Sequence, residues 1–253
     1  MVEISLPALH EIHAARERLR DLCIRTPLIP LNLDGLDREV WLKCENLQPI
    51  GAYKNRPQGS VMTMLSDQQL AKGVYTASSG NSGLGMAWCA RVMGVEARCY
   101  VPDGSAASKL AALERLGTRV ITVSYDEWWA TILNAGKDDD PGTYVDAVRD
   151  PKALAGDGTI GLEIFEDLPD VETIVCPFGG GGLACGVAGA MSALNPGCRM
   201  VAAEVETATP LSAAMDAGEP VEVTVEQSFI QAIGAARVLD TMWPLLSHVV
   251  SST

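Results

Sequence analysis

The stretch Cys176-Pro177-Phe178-Gly179-Gly180-Gly181-Gly182-Leu183 decides the fold, because it joins a predicted strand to a predicted helix. The apolar run 173–176 before it is typical of a buried strand, and the alanine-rich run 183–194 after it is typical of a helix. Glycines at such a turn let the backbone approach a ligand closely and take positive φ. The free N–H groups and the dipole of the helix start favour an anion. The stretch therefore predicts a phosphate site.

The glycine stretch alone leaves the ligand open. A glycine-rich turn without any ligand is one interpretation. A nucleotide P-loop is disfavoured, because no Gly-Lys-Ser/Thr follows. A dinucleotide fold is the more serious alternative: Gly179-x-Gly181-x-x-Ala184 fits its fingerprint, and Glu204 follows the next predicted strand, near the position of a ribose-binding acid. The remaining motifs must decide between them.

The composition limits the partners and the location of the protein. The 253 residues suffice for one large or two small domains, and the net charge of −13 argues against nucleic acid or an anionic membrane as a partner. Seven cysteines without a C-x-x-C pair indicate reduced thiols in a cytoplasmic protein. We expect no signal peptide and no membrane span, and three histidines leave little material for a histidine-based catalytic triad.

Predicted strands and helices alternate from about residue 73 to residue 204, which favours parallel sheets with helices on their faces. Three polar loops each follow a strand, at residues 51–54, 78–82 and 179–182. Ligands of open α/β sheets bind outside the carboxyl ends of the strands, so these loops are expected to meet in one crevice. Lys54 would there be a charge partner or form an imine with a carbonyl; an ordinary surface lysine is the alternative.

Four motifs make the sequence recognisable. In chain order they are LKCENLQPIGAYKNR at 42–56, TASSGNSGLG at 76–85, AGDGTIGLEI at 155–164 and GGGGL at 179–183. Their order and spacing resemble the fold type II pyridoxal-phosphate enzymes, the threonine/serine dehydratase (serine racemase-like) group above all, over residues 25–244. The resemblance implies an α/β fold like that of the tryptophan synthase β-subunit, with two open, mostly parallel sheets and helices on both faces. It makes the dinucleotide fold an unfavourable alternative.

The resemblance also implies how pyridoxal 5′-phosphate is held. Lys54 would form the Schiff base with the cofactor aldehyde, and the freed lysine would act as the base at the substrate Cα. Asn81 would bind the ring 3′-oxygen. Tyr53 would pack near the ring, and a plain packing aromatic is an equally good interpretation of it. The 5′-phosphate would be bound by backbone N–H groups of Gly179, Gly180, Gly181, Gly182 and Leu183.

The serine-rich motif implies the substrate site and carries the main departures from the family pattern. Ser78, Ser79 and Ser82 would face the substrate carboxylate. Ser82 replaces the usual histidine of the dehydratases, so the motif is also similar to that of the cysteine synthases, which catalyse β-replacement. Ser79 stands where serine racemases carry a serine that handles the proton on the opposite face; a small loop residue without a catalytic role is the alternative. Ala52 replaces the usual serine before the aromatic residue.

Two further departures concern the last third of the sequence. Glu204 matches a family position that can bind a divalent metal, but Pro210 stands near the expected second acidic ligand, and a solvated or salt-bridged glutamate is the alternative. The family usually continues into a Ser-Gly-Gly-Asn-like strand end that meets the pyridine nitrogen. Nothing after Glu204 matches that motif, so the C-terminal part of the family pattern is expected to be missing.

These observations predict a large domain of residues 1–74 plus 149–253 and a small domain of residues 75–148, with the cofactor between them. The predicted function is dehydration of a small β-hydroxy amino acid, such as L-threonine or L-serine, to a 2-oxo acid and ammonia. Racemisation and β-replacement with the same cofactor are alternatives. A truncated, non-catalytic relative that binds pyridoxal phosphate is the alternative from another class. The resemblance further implies a homo-oligomer.

Overall fold

The computed structural model describes residues 4–32, 34–35, 37–226, 228–230 and 233–253. Its helices and strands are, in chain order, α1 (Leu9–Arg18), β1 (Leu28–Pro30), β2 (Trp41–Lys43), α2 (Asn55–Met62), α3 (Asp67–Ala71), β3 (Val74–Ala77), α4 (Asn81–Met93), β4 (Ala97–Pro102), α5 (Ala107–Arg115), β5 (Arg119–Val123), α6 (Tyr125–Leu133), β6 (Thr143–Tyr144), α7 (Pro151–Asp167), β7 (Thr173–Pro177), α8 (Gly182–Leu194), β8 (Arg199–Ala203), α9 (Pro210–Ala217), α10 (Trp243–Val249) and β9 (Val250–Ser252). Within these ranges, the helices are all too short or too polar to cross a bilayer.

A four-stranded sheet with the order β5-β4-β3-β6 occupies the middle of the chain, and all its neighbouring strands are parallel. Parallel neighbours need a crossover connection, which α4 and α5 provide between β3, β4 and β5. The central strand β3 is buried along its whole length, and β4 is buried except at Pro102. Such continuous burial is expected of strands that are covered on both faces.

A second parallel sheet, with the order β7-β8-β9, follows the glycine stretch. Ile174 and Cys176 of β7 are buried, whereas Val175 between them is 61% exposed. Successive side chains of a strand point to opposite faces, so one face of this sheet packs into the core and the other is open. A short antiparallel pair, β1-β2, completes the sheets of the described residues. This architecture confirms the predicted α/β class.

Two main clusters of buried apolar residues correspond to the two parallel sheets. The cluster at β3 and β4 includes Val61, Met86, Cys99, Val101 and Leu113. The cluster at β7 and β8 includes Ile174, Val187, Met200, Leu211 and Leu246. Helix α2 contributes to the first cluster although the predicted domain division assigns it to the large domain. The predicted boundaries therefore stay a prediction.

Two helices begin among residues that are weak helix formers. Helix α4 begins at Asn81, so that Asn81 and Ser82 form its first turn. Helix α7 begins at Pro151, before its glycine-rich part, because Asp150 accepts a hydrogen bond from the Lys152 N–H at 2.8 Å and proline suits the first helical position. Small polar residues and glycines are weak helix formers, so their helical state is decided by packing.

Candidate active site

Lys54 lies directly before α2, where the chain leaves an exposed loop and enters a helix in which every residue is buried. The Lys54 side chain itself is half-buried, and its Nζ lies 4.8 Å from the centre of the Tyr53 ring. The buried helix fixes the backbone of Lys54, while the residue as a whole is half-buried.

The charge of Lys54 depends on three neighbouring groups. Burial lowers the pKa of Lys54, but Tyr53, Asp157 and Asp146 raise it by more, so that the net direction is upward. Burial likewise raises the pKa of the Tyr53 phenol. Lys54 is therefore a cation at neutral pH.

Helix α4 packs directly against the backbone of Lys54. A Cβ atom on Gly85 would lie 2.5 Å from the carbonyl oxygen of Lys54 and 3.0 Å from the amide nitrogen of Asn55. A Cβ atom on Gly83 would likewise lie 2.5 Å from the carbonyl oxygen of Ser78. Contacts this short exclude any side chain, so these glycines allow the start of α4 to lie beside Lys54.

The serine loop 78–80 joins β3 to α4 and presents free polar side chains. The Ser78 hydroxyl accepts a hydrogen bond from the Gly80 N–H at 3.2 Å, which shapes the loop. Ser79 and Asn81 are half-buried, and neither side chain has a hydrogen-bond partner in the part of the chain that the structure describes. Their hydroxyl and amide groups therefore remain available to a ligand.

Ser82 has a partner that the sequence did not indicate. The Gln58 amide donates to the Ser82 hydroxyl oxygen at 2.8 Å and to the Ser82 carbonyl oxygen at 3.2 Å. Gln58 lies on α2, one turn after Lys54, and is fully buried. This contact joins the first turn of α4 to the helix that carries Lys54. Ser82 still has its own hydroxyl hydrogen to donate.

The glycine stretch forms the turn into α8, as predicted. Gly181 has φ +88°, a left-handed conformation that favours glycine, and a Cβ atom there would lie 2.7 Å from Leu246. A Cβ atom on Gly180 would lie 2.9 Å from Val148. Across the described residues, no acceptor takes the N–H groups of residues 179–183. These are the unpaired donors that a helix start offers to an anion.

These features fit pyridoxal phosphate, which carries an aldehyde and a phosphate. The aldehyde requires a primary amine, which Lys54 provides directly before α2. The phosphate requires unpaired donors with space in front of them. A Cβ atom on Gly179 would meet nothing within 4 Å, so the start of α8 has open space beside free N–H groups.

Asp157 of α7 also belongs to this site, although the sequence motif gave it no role. Its side chain is fully buried, and its Oδ2 lies 3.4 Å from the position that a Cβ atom on Gly182 would take. Asp157 also acts electrostatically on Lys54. The structure thus places one carboxyl group beside the glycine stretch, where its charge also influences the pKa of Lys54. An acidic residue inside a run of small residues was the available sequence signal.

A buried ionic network anchors the beginning of α2. Arg56 donates to Glu45 through two nitrogens at 2.8 Å, to Glu163 at 2.7 and 2.9 Å, and to the Thr159 hydroxyl at 2.9 Å. The Lys43 ammonium lies 2.6 Å from Glu163. Because Arg56 follows Lys54 by two residues, this network ties the lysine-bearing segment to α7.

Glu204 serves the helix that follows it. Its two carboxylate oxygens accept hydrogen bonds from the Leu211 N–H at 2.7 Å, the Ser212 N–H at 2.9 Å and the Ser212 hydroxyl at 2.6 Å. A carboxylate at the start of α9 stabilises the unpaired N–H groups and the helix dipole. Within the described ranges, no cluster of three acidic, histidine or cysteine residues could hold a metal ion around Glu204 or elsewhere. The helix start is the role that the structure gives to Glu204.

Gly85→Ala tests the packing of α4 on Lys54. The added methyl group would lie 2.5 Å from the Lys54 carbonyl oxygen, so either the helix or the lysine must move. We expect the free energy of unfolding to fall by about 1–3 kcal/mol, as for other overpacked sites. Urea unfolding, together with the rate at which Lys54 reacts with pyridoxal phosphate, measures both effects.

Gly197→Ala is the matched control for this change. The nearest atom to a Cβ on Gly197 is the Asn195 Oδ1 at 3.7 Å, which is an ordinary contact. We expect little change in either measurement. Equal behaviour of the two variants would show that the start of α4 does not depend on the contact with Lys54.

Comparison with known proteins identifies the family of the chain. The sequence profile described as "pyridoxal-phosphate dependent enzyme" matches residues 19–252. The L-threonine ammonia-lyase of Geobacter sulfurreducens is 34% identical over 243 residues, and the match covers 94% of this chain and 60% of that protein. The L-threonine ammonia-lyase of Thermotoga maritima is 32% identical over 246 residues, covering 96% of this chain and 61% of that protein.

The fold comparison leads to the same family. The structure of maize serine racemase superimposes with a TM-score of 0.88 at 28% identity, covering 98% of this chain and 77% of that one. The predicted fold type and the predicted cofactor of the family are thereby confirmed. The chain spans about 60% of the length of the two ammonia-lyases. Because the profile covers most of the chain, the protein belongs to the pyridoxal-phosphate dependent enzyme family.

Proposed function

We propose that this chain catalyses the pyridoxal-phosphate-dependent dehydration of a small β-hydroxy amino acid, such as L-threonine or L-serine, to a 2-oxo acid and ammonia. The observation that carries the proposal is the position of Lys54, whose backbone packs against the start of α4, together with the free N–H groups of residues 179–183 at the start of α8. The ammonia-lyase names of two relatives support this substrate class.

Residues from three parts of the chain would hold the cofactor. The Lys54 amine would take its aldehyde, the free N–H groups of residues 179–183 would bind its phosphate, and Asn81 and Tyr53 would contact its ring. When bound, pyridoxal phosphate supplies an electron sink for the negative charge that develops at the substrate Cα. The dipole of α8 favours the phosphate charge.

Lys54 would also move the proton. In its neutral form, Nζ takes the proton from the substrate Cα, as a positioned general base does. The β-hydroxyl leaves as one water molecule, and one water molecule is consumed when the C–N bond at Cα is hydrolysed. The products are therefore one 2-oxo acid and one ammonia per amino acid. The buried backbone of α2 keeps Nζ in place during this transfer.

The start of α4 would orient the substrate through its carboxylate. The N–H groups and the dipole at this helix start favour a negative group. Ser78 and Ser79 lie in the loop before it. Ser82 accepts a hydrogen bond from Gln58, so its hydroxyl hydrogen points away from Gln58 and is free for the carboxylate.

Racemisation of serine is the second candidate, and Ser79 is the residue that favours it. Its hydroxyl has no partner in the described residues and is half-buried in the loop before α4. A free hydroxyl there would deliver or accept a proton at the substrate Cα from the side opposite to Lys54. The fold similarity to a serine racemase supports this candidate as well. β-Replacement remains the third alternative.

We also propose the division into residues 1–74 plus 149–253 and residues 75–148. The two separate parallel sheets support it, although α2 of the large domain packs into the apolar cluster at β3 and β4. Assembly into a homo-oligomer and a cytoplasmic location are part of the same proposal; the reduced state of all seven cysteines in the structure supports the latter.

The test uses the chain as it stands, incubated with pyridoxal phosphate. Borohydride reduction followed by peptide mapping should place the label on Lys54. In a separate, unreduced sample, L-threonine and L-serine should release 2-oxo acid and ammonia in equal amounts. If L-serine exchanges its Cα hydrogen and forms D-serine but no 2-oxo acid, the proposed function is racemisation instead of dehydration. If Lys54 is labelled but no substrate is converted, we would conclude that the chain is a non-catalytic relative that binds the cofactor.

A further inference from the structure

Asp157 is a fully buried carboxyl group without a hydrogen bond. It lies in the middle of α7, and neither Oδ1 nor Oδ2 has a partner in the described part of the structure. An unpaired buried carboxylate is strongly unfavourable, so such a group is either neutral or awaits a ligand. Asp157 therefore needs an explanation that packing does not provide.

The carboxyl group is directed at the beginning of α8. Helix α8 approaches α7 so closely that a Cβ atom on Gly186 would lie 2.5 Å from the Asp157 Cβ. One turn earlier, the position of a Cβ atom on Gly182 lies 3.4 Å from the Asp157 Oδ2. The unpaired carboxyl group thus lies at the same helix start as the free N–H groups of residues 179–183.

Burial shifts Asp157 towards its neutral form. Burial raises the pKa of Asp157 to about 7, and Lys54 and Arg56 counteract this only in part. Arg56 already binds two carboxylates, and no salt bridge or hydrogen bond joins Lys54 to Asp157 within the described residues. Burial raises the pKa of the neighbouring thiols to about 12, so they stay uncharged. The titratable and charged groups that face Asp157 are Lys54, Arg56, Glu45, Tyr53, Cys176 and Cys185.

We propose that Asp157 is a positioning residue of the anion site at the start of α8, where its protonated carboxyl group donates a hydrogen bond to a bound phosphate ester. The inference rests on the proposed cofactor site and adds a donor that the glycine stretch does not contain. An ionised Asp157 would repel the phosphate. A protonated Asp157 would donate a hydrogen bond to a phosphate oxygen and would thereby gain the partner that its buried carboxyl group lacks. Phosphate binding and protonation of Asp157 are therefore linked: each strengthens the other.

Pyridoxine 5′-phosphate is the probe that tests this linkage, because it lacks the aldehyde and leaves the chemistry of Lys54 out of the measurement. Its dissociation constant is measured from pH 6 to pH 9 for the wild-type chain and for Asp157→Asn. Asparagine keeps the shape and a donor but cannot ionise. We expect nearly equal constants at pH 6. Above about pH 7, the ratio of the wild-type constant to that of the variant should rise about tenfold per pH unit, since one proton is taken up.

The ratio removes the titration of the ligand itself, which is common to both proteins. A ratio that does not change with pH would overturn the inference, and so would tighter binding by Asp157→Asn at pH 6. Absence of pyridoxine phosphate binding in both proteins would overturn it too. The proposed function fails separately, when pyridoxal phosphate does not label Lys54.

A measurement on the cofactor-free proteins keeps the test independent of binding. Because the pKa of Asp157 is higher in the folded chain than in the unfolded chain, wild-type stability should fall as the pH rises from about 4 to about 7 and then level off. Asp157→Asn should lack this component in urea unfolding. If the variant does not fold, calorimetry of the wild-type chain in two buffers should show uptake of about one proton on binding at pH 8, beyond that of the ligand. No uptake would overturn the inference.

Discussion

Replacing Lys54 by alanine should abolish the borohydride-stable attachment of pyridoxal phosphate and lower 2-oxo acid formation by roughly a thousandfold or more. The change removes the only group that we assign to the aldehyde and also the base at the substrate Cα. The fold should persist, because the side chain of Lys54 is half-buried while the helix behind it carries the packing. Mass spectrometry of the reduced protein and a 2-oxo acid assay measure the two effects.

Lys72→Ala is the control for this prediction. Lys72 is exposed at the end of α3 and should neither take up the label nor affect the assay. Addition of a primary amine should partly restore turnover to Lys54→Ala if the lysine acts as a base. Undiminished labelling of Lys54→Ala would mean that another lysine carries the cofactor and would contradict the assignment of the site.

Replacing Arg56 by alanine should lower the free energy of unfolding by about 3–5 kcal/mol, because two carboxylates would lose their shared cation. Arg56 is 2% exposed and binds both Glu45 and Glu163. Lys43 would still neutralise Glu163, but Glu45 would lose its ion pair. Urea unfolding followed by circular dichroism gives the change directly.

An exposed ion pair provides the comparison for Arg56. Arg16 pairs with Glu166 at the surface, where Arg16 is 36% exposed, so Arg16→Ala should change the free energy of unfolding by less than about 1 kcal/mol. Similar losses of unfolding free energy in the two variants would mean that burial does not determine how much the Arg56 network stabilises the fold. Since Arg56 lies two residues after Lys54, Arg56→Ala should also slow the labelling of Lys54 by pyridoxal phosphate.

The local parts of the site could be predicted from the sequence, because they depend on residues that are neighbours in the chain. Gly181 takes φ +88° at the turn into α8, as a glycine between a strand and a helix predicts. The alternation of strands and helices likewise predicts the parallel sheets that the structure contains. The motif around Lys54 indicated the family, which the profile match confirms.

Partners that are distant in the chain could not be predicted in this way. Nothing in the sequence indicates that Gln58 contacts Ser82 or that Arg56 binds Glu163. The sequence likewise does not indicate that the Glu204 carboxylate binds the N–H groups at the start of α9. The close packing of α4 on the Lys54 carbonyl oxygen, which Gly85 allows, likewise joins parts of the chain that are far apart in the sequence.

The sequence by itself thus determined the family, the α/β fold and the glycine turn, and it predicts the cofactor lysine, because each depends on a short run of adjacent residues. Only the tertiary structure decided which polar groups lie unpaired in the interior. Asp157 is an ordinary aspartate in the sequence; it becomes a candidate donor because the packing of α7 against α8 buries it beside Gly182. Burial and charge coupling depend on contacts through space, and those contacts exist only once the chain has folded.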